Sequence, residues 1–206
     1  MSDFTKKEKV ILQKLNTPAK VQDFINGLKF NFEKDGKKNV QTLKSPLLTL
    51  RARNAHCFEG ALLGAYILSL QGFPPYVIHL KATKHDYDHV IAPFKVRGLW
   101  GALSKTNHAV LRYREPIYKN IRELVMSYFH EYFLNNGQKT LRQYSALLNL
   151  STFKNGWEIS DKDLWYIDKK LDKIKHFSIL QKTAIKNLRK ADKVEIRVGK
   201  IVEYKK

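Results

Sequence analysis

Apolar positions recur at Val21, Phe24, Ile25 and Leu28, the i, i+3, i+4, i+7 spacing of one helix face, and Thr17-Pro18 supplies an N-cap followed by proline at the first helical position. Ahead of it, Lys9 to Leu15 predicts one or two helical turns. Asn31 to Ser45 is polar and predicts a loop, a lid candidate, closed by Ser45-Pro46 before Leu47 to Leu50. The run Ala61 to Leu70 is apolar on nearly every face. It predicts a helix over 54–71 buried all round, with Asn54 as N-cap, Glu59 in its first turns and Gly72 just past its end. Tyr76 to Ala82, Asp88 to Val96 and Leu99 to Leu103 are rich in strand formers. With the polar link Thr83 to Tyr87 and the turn Arg97-Gly98 between them, they predict an antiparallel meander. Pro93 cannot donate to a ladder, which places the second strand at an edge or gives it a bulge.

The second half reads as mostly helical. One helix is predicted from Glu115-Pro116 to about Leu134, stopped by Asn135-Asn136-Gly137. Another runs from Ser160-Asp161, with Leu164, Trp165, Ile167, Leu171 and Ile174 at helical spacing, and a short one falls within 179–188. Val194 to Tyr204 alternates and predicts a terminal strand or hairpin. No internal repeat or linker interrupts the pattern. The economical reading is one α+β domain over 1–206, with a core of about 17–114 and a helical extension of 115–206.

Composition narrows the picture. A chain of 206 residues with 43% hydrophobic and 12% aromatic residues can bury a core without staples. One cysteine allows no internal disulfide, and Met1 to Lys7 holds no apolar leader, so a cytoplasmic location is expected. The longest apolar run, about ten residues, falls short of the roughly 20 that span a bilayer, so no membrane partner is expected. The net charge of +19 is spread evenly: 16 basic and 8 acidic residues lie in 1–100, and 22 and 11 in 101–206. With no RNA- or DNA-binding signature, this reads as a solvated basic surface rather than a specific nucleic-acid site.

Candidate chemistry concentrates near Cys57. A thiol in the first turn of a helix meets unbonded N–H groups and the positive end of the dipole, which favour the thiolate. Of the seven histidines, His89 at the start of a strand is the best placed base. His56 is either a second base or a cap. A metal reading draws on Cys57, His56, His85, Asp86, Asp88 and His89, but His85 and His89 on a strand lie roughly 13 Å apart, too far to share an ion. His130-Glu131 lacks the second histidine of a zincin motif. Neither metal nor cofactor is expected.

The order Cys57-Phe58-Glu59-Gly60-Ala61, Asp88-His89-Val90 and Gly98-Leu99-Trp100 resembles the transglutaminase-like superfamily of papain-type folds, over about 50–108 and more loosely 17–114. The runs Ser104-Lys105-Thr106-Asn107-His108 and Arg112 to Tyr118 resemble an unassigned bacterial subgroup of it. The resemblance implies a cysteine-proteinase/transglutaminase-like fold, with a central cysteine-bearing helix on an antiparallel sheet. It also implies that the Cys57 thiolate attacks a γ-carboxamide or peptide carbonyl, that His89 moves the proton, and that an acid on the next strand orients His89. Here the sequence departs from the family. Ser104 stands where the acid is expected, Asn107 is the papain-like alternative, and neither replaces a carboxylate. Asp88 should point to the other face of its strand. Phe58 and Trp100 are expected to form an apolar, substrate-side mouth. Arg112 and Arg114 either hold a substrate carboxylate or pair with acids. The expected function is a thiol-dependent hydrolase or acyltransferase acting on an amide or peptide bond. The alternative is a non-catalytic relative that binds peptide or nucleic acid.

Overall fold

The computed structural model describes residues 3–35 and 38–205. Helix α1 (Lys6–Lys14) starts on a Thr5/Glu8 capping box, and α2 (Pro18–Asn26) starts on Thr17 with Pro18 in its first turn. The α2 stripe is buried at Val21, Ile25 and Leu28, while Phe24 is half-buried. Short strands β1 (Lys29–Phe30), β2 (Lys34–Asp35) and β3 (Lys38–Asn39) follow, and β2 pairs with β3; Gly36 and Lys37 of the expected loop lie outside the described residues. Ser45-Pro46 opens a helix instead of merely closing a loop. Ser45 Oγ accepts from Leu48 N–H, and α3 (Pro46–Ala52) buries Leu47 and Leu50.

The long apolar run forms α4 (Cys57–Ser69), buried from Phe58 through Leu68. Its N-cap is His56 and not Asn54, because Asn54-Ala55 form β4, which pairs in parallel with β1. Small residues let α4 be approached closely. A Cβ at Gly60 would lie 2.4 Å from Lys105 Cβ, and one at Gly64 2.8 Å from Leu103 Cδ1. Gly72, at φ 86°, follows the helix end.

Strands β5 (Tyr76–Lys81), β6 (His89–Val96) and β7 (Leu99–Leu103) form the expected antiparallel meander. Arg97 and Gly98 both have positive φ, as a two-residue hairpin turn requires. β6 is an interior strand, not an edge, and no bulge marks Pro93. Its pairing with β5 ends at Ile91, so Pro93 lies where only β7 is paired.

The second half departs from expectation. Glu115-Pro116 lies in β8 (Arg114–Tyr118), an edge strand where proline is tolerated, and the helix begins only after the Asn120 cap, as α5 (Ile121–Phe129). Strands β9 (Gln143–Ser145) and β10 (Leu148–Asn149) join β5, α6 (Trp165–Lys173) buries Ile167 and Leu171, and β11 (His176–Ser178) pairs with β9. The C-terminal half therefore supplies four strands of a seven-stranded antiparallel sheet ordered β11-β9-β5-β6-β7-β8, with β10 beside β5. After α7 (Lys182–Ile185), most of the alternating 194–204 segment is no strand, and only Val202 pairs, in an isolated antiparallel bridge with His108. An Asp192/Glu195 capping box nucleates α8 (Lys193–Gly199), and Val194 and Val198 are exposed because no neighbouring strand pairs with them.

The result is a mixed α/β architecture. One sheet face (Val77, Val90, Ala92, Phe94, Leu103) packs with α4, α2 and α6, while Ile78, Leu80, Ile91 and Ala102 on the other pack with Leu124, Val125 and Tyr128 of α5. No helix among the described residues is long and apolar enough to cross a membrane.

Candidate active site

Cys57 is the first residue of α4 and is half-buried. Two rings bracket it. Burial pushes the Cys57 thiol up, but hydrogen bonds from His56 and His89 and the charge on both imidazoles overcome burial and hold the thiol well below its ordinary value.

The orientation of His89 follows from counting protons. His89 Nε2 lies 2.8 Å from Ser104 Oγ, and Ser104 Oγ donates its one hydrogen to the Leu111 carbonyl at 2.5 Å. The hydroxyl therefore accepts from His89 Nε2–H, which leaves Nδ1 as the nitrogen available to Cys57. Ser104 is itself braced. Gln22 of α2 binds its backbone twice, accepting from N–H at 2.9 Å and donating to C=O at 2.8 Å. Leu111 sits in the left-handed region at φ 60°, and its N–H is held by Glu131, which Arg114 pairs at 2.6 Å.

On the other side, His56 Nε2 donates to the Thr42 carbonyl at 2.9 Å and Nδ1 accepts from Phe58 N–H at 3.2 Å, which fits the neutral ring. Burial pulls this imidazole down, whereas the bond and charge of Cys57, the charge of Glu59 and the Thr42 carbonyl raise it, to about 9. A proton on Nδ1 would end the Phe58 contact, because a protonated ring nitrogen donates and does not accept.

Glu59 completes the helix start. Its fully buried carboxylate takes bonds from Thr42 Oγ1 at 2.8 Å, Asn31 Nδ2 at 2.9 Å, Lys44 N–H at 3.1 Å, Lys44 Nζ at 2.8 Å and His56 N–H at 3.1 Å. Burial raises its pKa, but His56, Asn31 and Lys44 bring it below the usual value. The segment read as a loop or lid is thereby tied to the α4 start at residues 31, 42 and 44.

The remaining sequence-derived candidates lie elsewhere. Asn107 is not beside His89: its side chain exchanges two 2.9 Å hydrogen bonds with the Tyr204 backbone. Trp100 pairs across β6 with Lys95, six residues and roughly 20 Å along the strand from His89. It packs on Tyr76 and under Lys95 Nζ, so it forms no mouth with Phe58, itself a core residue. Arg112 pairs with Glu203 at 3.5 Å. Arg114 is spent on Ser127, Glu131 and the Tyr128 face. Asp88 turns to the other sheet face, where its carboxylate accepts from Ala82 N–H and pairs with His79. Among the described residues, no three His, Cys, Asp or Glu side chains are arranged to hold a metal ion.

Sequence reasoning missed Gln22, Thr42 and the bracing role of Glu131. Only Glu59, three residues after the cap, carries a local signal, that of a capping box. A buried glutamine inside an apolar helix stripe is a clue in retrospect.

No family model matches the chain, and no curated protein does. Among solved structures, the chain is similar to Legionella pneumophila LapG. The likeness has 16% identity and a TM-score of 0.37, and covers 50% of this chain and 66% of LapG. The EGTA-treated form of LapG gives 17% identity, the same TM-score, and coverage of 50% and 64%. The chain thus spans just under two thirds of LapG, and at this similarity the chemical reading rests on the site's own geometry.

Proposed function

We propose that the protein is a thiol-dependent hydrolase or acyltransferase acting on an amide or peptide bond, with Cys57 as nucleophile, His89 as general base and acid, and Ser104 orienting His89. The observation that carries this reading is the direction of the Ser104 hydroxyl. Because it donates to Leu111, His89 must present Nδ1 to a thiol already stabilised at a helix start. The thiolate attacks the acyl carbon and forms the C–S bond. The tetrahedral intermediate collapses as His89 gives its proton to the departing nitrogen, and the C–N bond breaks. Water or an amine, losing a proton to His89, then attacks the thioester, and the C–S bond breaks. With a neutral third residue the imidazolium gains less stabilisation than a carboxylate would give, so turnover is expected to be slower than in a Cys-His-Asp site.

The test is acylation by p-nitrophenyl acetate, followed by release of nitrophenol and by intact mass. The expected result is a burst accompanied by one acetyl group on Cys57, absent in Cys57→Ser and strongly slowed in His89→Ala. Acetylation unaffected by His89→Ala, or located on other residues, sinks the proposal in favour of a non-catalytic binding role.

A further inference from the structure

A second imidazole cluster lies on the sheet face that carries Val77 and Val90. His79 on β5 is buried; its Nε2 is 2.8 Å from Asp88 Oδ2, and its Nδ1 is 3.3 Å from Nε2 of His176 on β11. His176 Nδ1 is in turn 2.8 Å from the Ile174 carbonyl. The ends of this chain fix its protons. A carbonyl only accepts, so His176 Nδ1 carries a hydrogen. Burial raises the Asp88 carboxyl, but the His79 bond, the Ala82 N–H and the charges of His79 and Lys81 bring it below its ordinary value, so at neutral pH it is an ionised acceptor and His79 Nε2 carries a hydrogen. Two nitrogen lone pairs do not face each other across 3.3 Å, so a third hydrogen lies between the rings. Two neutral imidazoles hold two such hydrogens, and this arrangement needs three.

We propose that His79 and His176 share one extra proton, and that the resulting charge, acting through Asp88, positions His89 for Cys57. The positioning part rests on the thiol reading above; the shared proton does not. Asp88 directly precedes His89. Its two oxygens are taken by Ala82 N–H at 2.7 Å and by His79, so the chain is pinned on one face of the sheet while the next side chain turns to Ser104 on the other. Burial lowers His176, the Ile174 bond opposes that, the charges of His79 and Lys81 lower it further, and Asp172 raises it. The other groups facing the pair are on α6 and β5. Asp172 Oδ1 is 3.7 Å from His79 Nδ1 and 3.8 Å from Lys81 Nζ, and Asp168, raised by burial and by Asp172, also feels His79. As pH rises and the shared proton leaves, a lone pair is opposed either to the second ring or to the carboxylate. In the second case Asp88 keeps only the Ala82 N–H, and the start of β6 loosens.

The experiment combines nitrogen NMR of the imidazoles with iodoacetamide labelling of Cys57 from about pH 6 to 9. Three protonated nitrogens among the four are expected at the acidic end, with one proton lost as a unit. Above that loss, labelling in the native chain is expected to fall by about tenfold, since a misplacement of about 1 Å in a reacting group costs up to about a hundredfold. His79→Gln keeps a neutral donor for Asp88 but holds no extra proton, so its labelling is expected to lose the alkaline fall; if it does not fold, His176→Asn is read in the same way. Two protonated nitrogens at every pH overturn the shared proton. Identical labelling profiles in native and variant chains overturn the positioning. Three protonated nitrogens together with a Cys57 that labels no faster than free cysteine retain the shared proton and sink both the thiol reading and the positioning built on it.

Discussion

His79 and His89 stand on neighbouring strands, one on each face of the sheet, and the carboxylate directly before His89 goes to the histidine that has no thiol beside it. Asp88 immediately precedes His89, yet strand alternation turns it to the opposite face, where it pairs with His79. His89 receives the Ser104 hydroxyl instead. One imidazole thus has an acid and a second ring but no thiol, and the other has a thiol and an alcohol but no acid. A carboxylate beside a histidine in sequence therefore says little about which histidine it serves.

The largest effect expected from breaking this contrast is on Cys57. His89→Ala should slow iodoacetamide labelling near neutral pH by roughly 10²-fold or more, the scale of a lost acid–base partner. His79→Ala should cost about 1–3 kcal/mol in urea unfolding, because it removes a buried ring and a partner of Asp88, and should slow labelling by no more than about tenfold, through the start of β6 alone. Equal slowing of labelling by the two variants at all pH values would remove the distinction between the faces.

The helix start supplies the next effect. Glu59→Gln loses a buried carboxylate that holds the 31–44 segment and the His56 N–H, and is expected to cost about 1–3 kcal/mol near neutral pH. The folded-state pKa of Glu59 lies below its ordinary value, so its contribution is present above about pH 4.3 and is lost as pH falls through the lower folded value. Native and variant stabilities should converge in acid. A difference that persists unchanged to the most acidic conditions would show that shape, and not charge, is responsible.

Ser104→Ala leaves His89 Nε2–H without its acceptor and frees the ring to take the other tautomer. Labelling is expected to slow about tenfold, equivalent to about 1.4 kcal/mol, with little change in fold because Gln22 binds only the Ser104 backbone. An unchanged rate would mean that Ser104 does not orient His89.

How much of this was legible in the sequence depends on the range of the determining contact. The body of α4 and the β5-β6-β7 meander rest on an apolar run, alternation and a two-residue turn, all local, whereas the α4 cap, read as Asn54, is His56. Ser104 lay at the place the resemblance implied for an acid. The errors share a physical cause. Pro116 looked like a first helical residue, but the Asn120 cap outcompeted it and the edge of the sheet accepted the proline. Val194 to Tyr204 alternates like a strand, yet the Asp192/Glu195 capping box makes 193–199 a helix, and only Val202 pairs, in an isolated antiparallel bridge with His108. Gln22 and Ser104 are 82 residues apart, and nothing near either one announces the other. Trp100 was placed near the thiol by its position in a motif, but register carried it to the far end of the hairpin.

The smallest expected effect separates substrate contacts from surface pairing. Arg112 is about one-third exposed and its partner is Glu203 at 3.5 Å, so the pair lies in water and salt screens it. Arg112→Ala should change stability by at most about 1 kcal/mol, and by less in high salt. It should leave p-nitrophenyl acetate acylation unaltered, because the ester has no carboxylate for an arginine to hold. Comparing that ester with a substrate bearing a free carboxylate decides the matter. If Arg112→Ala weakens use of the carboxylate substrate by tenfold or more, about 1.4 kcal/mol, while sparing the neutral ester, the guanidinium leaves Glu203 to bind substrate, and the ion pair is its resting partner and not its role.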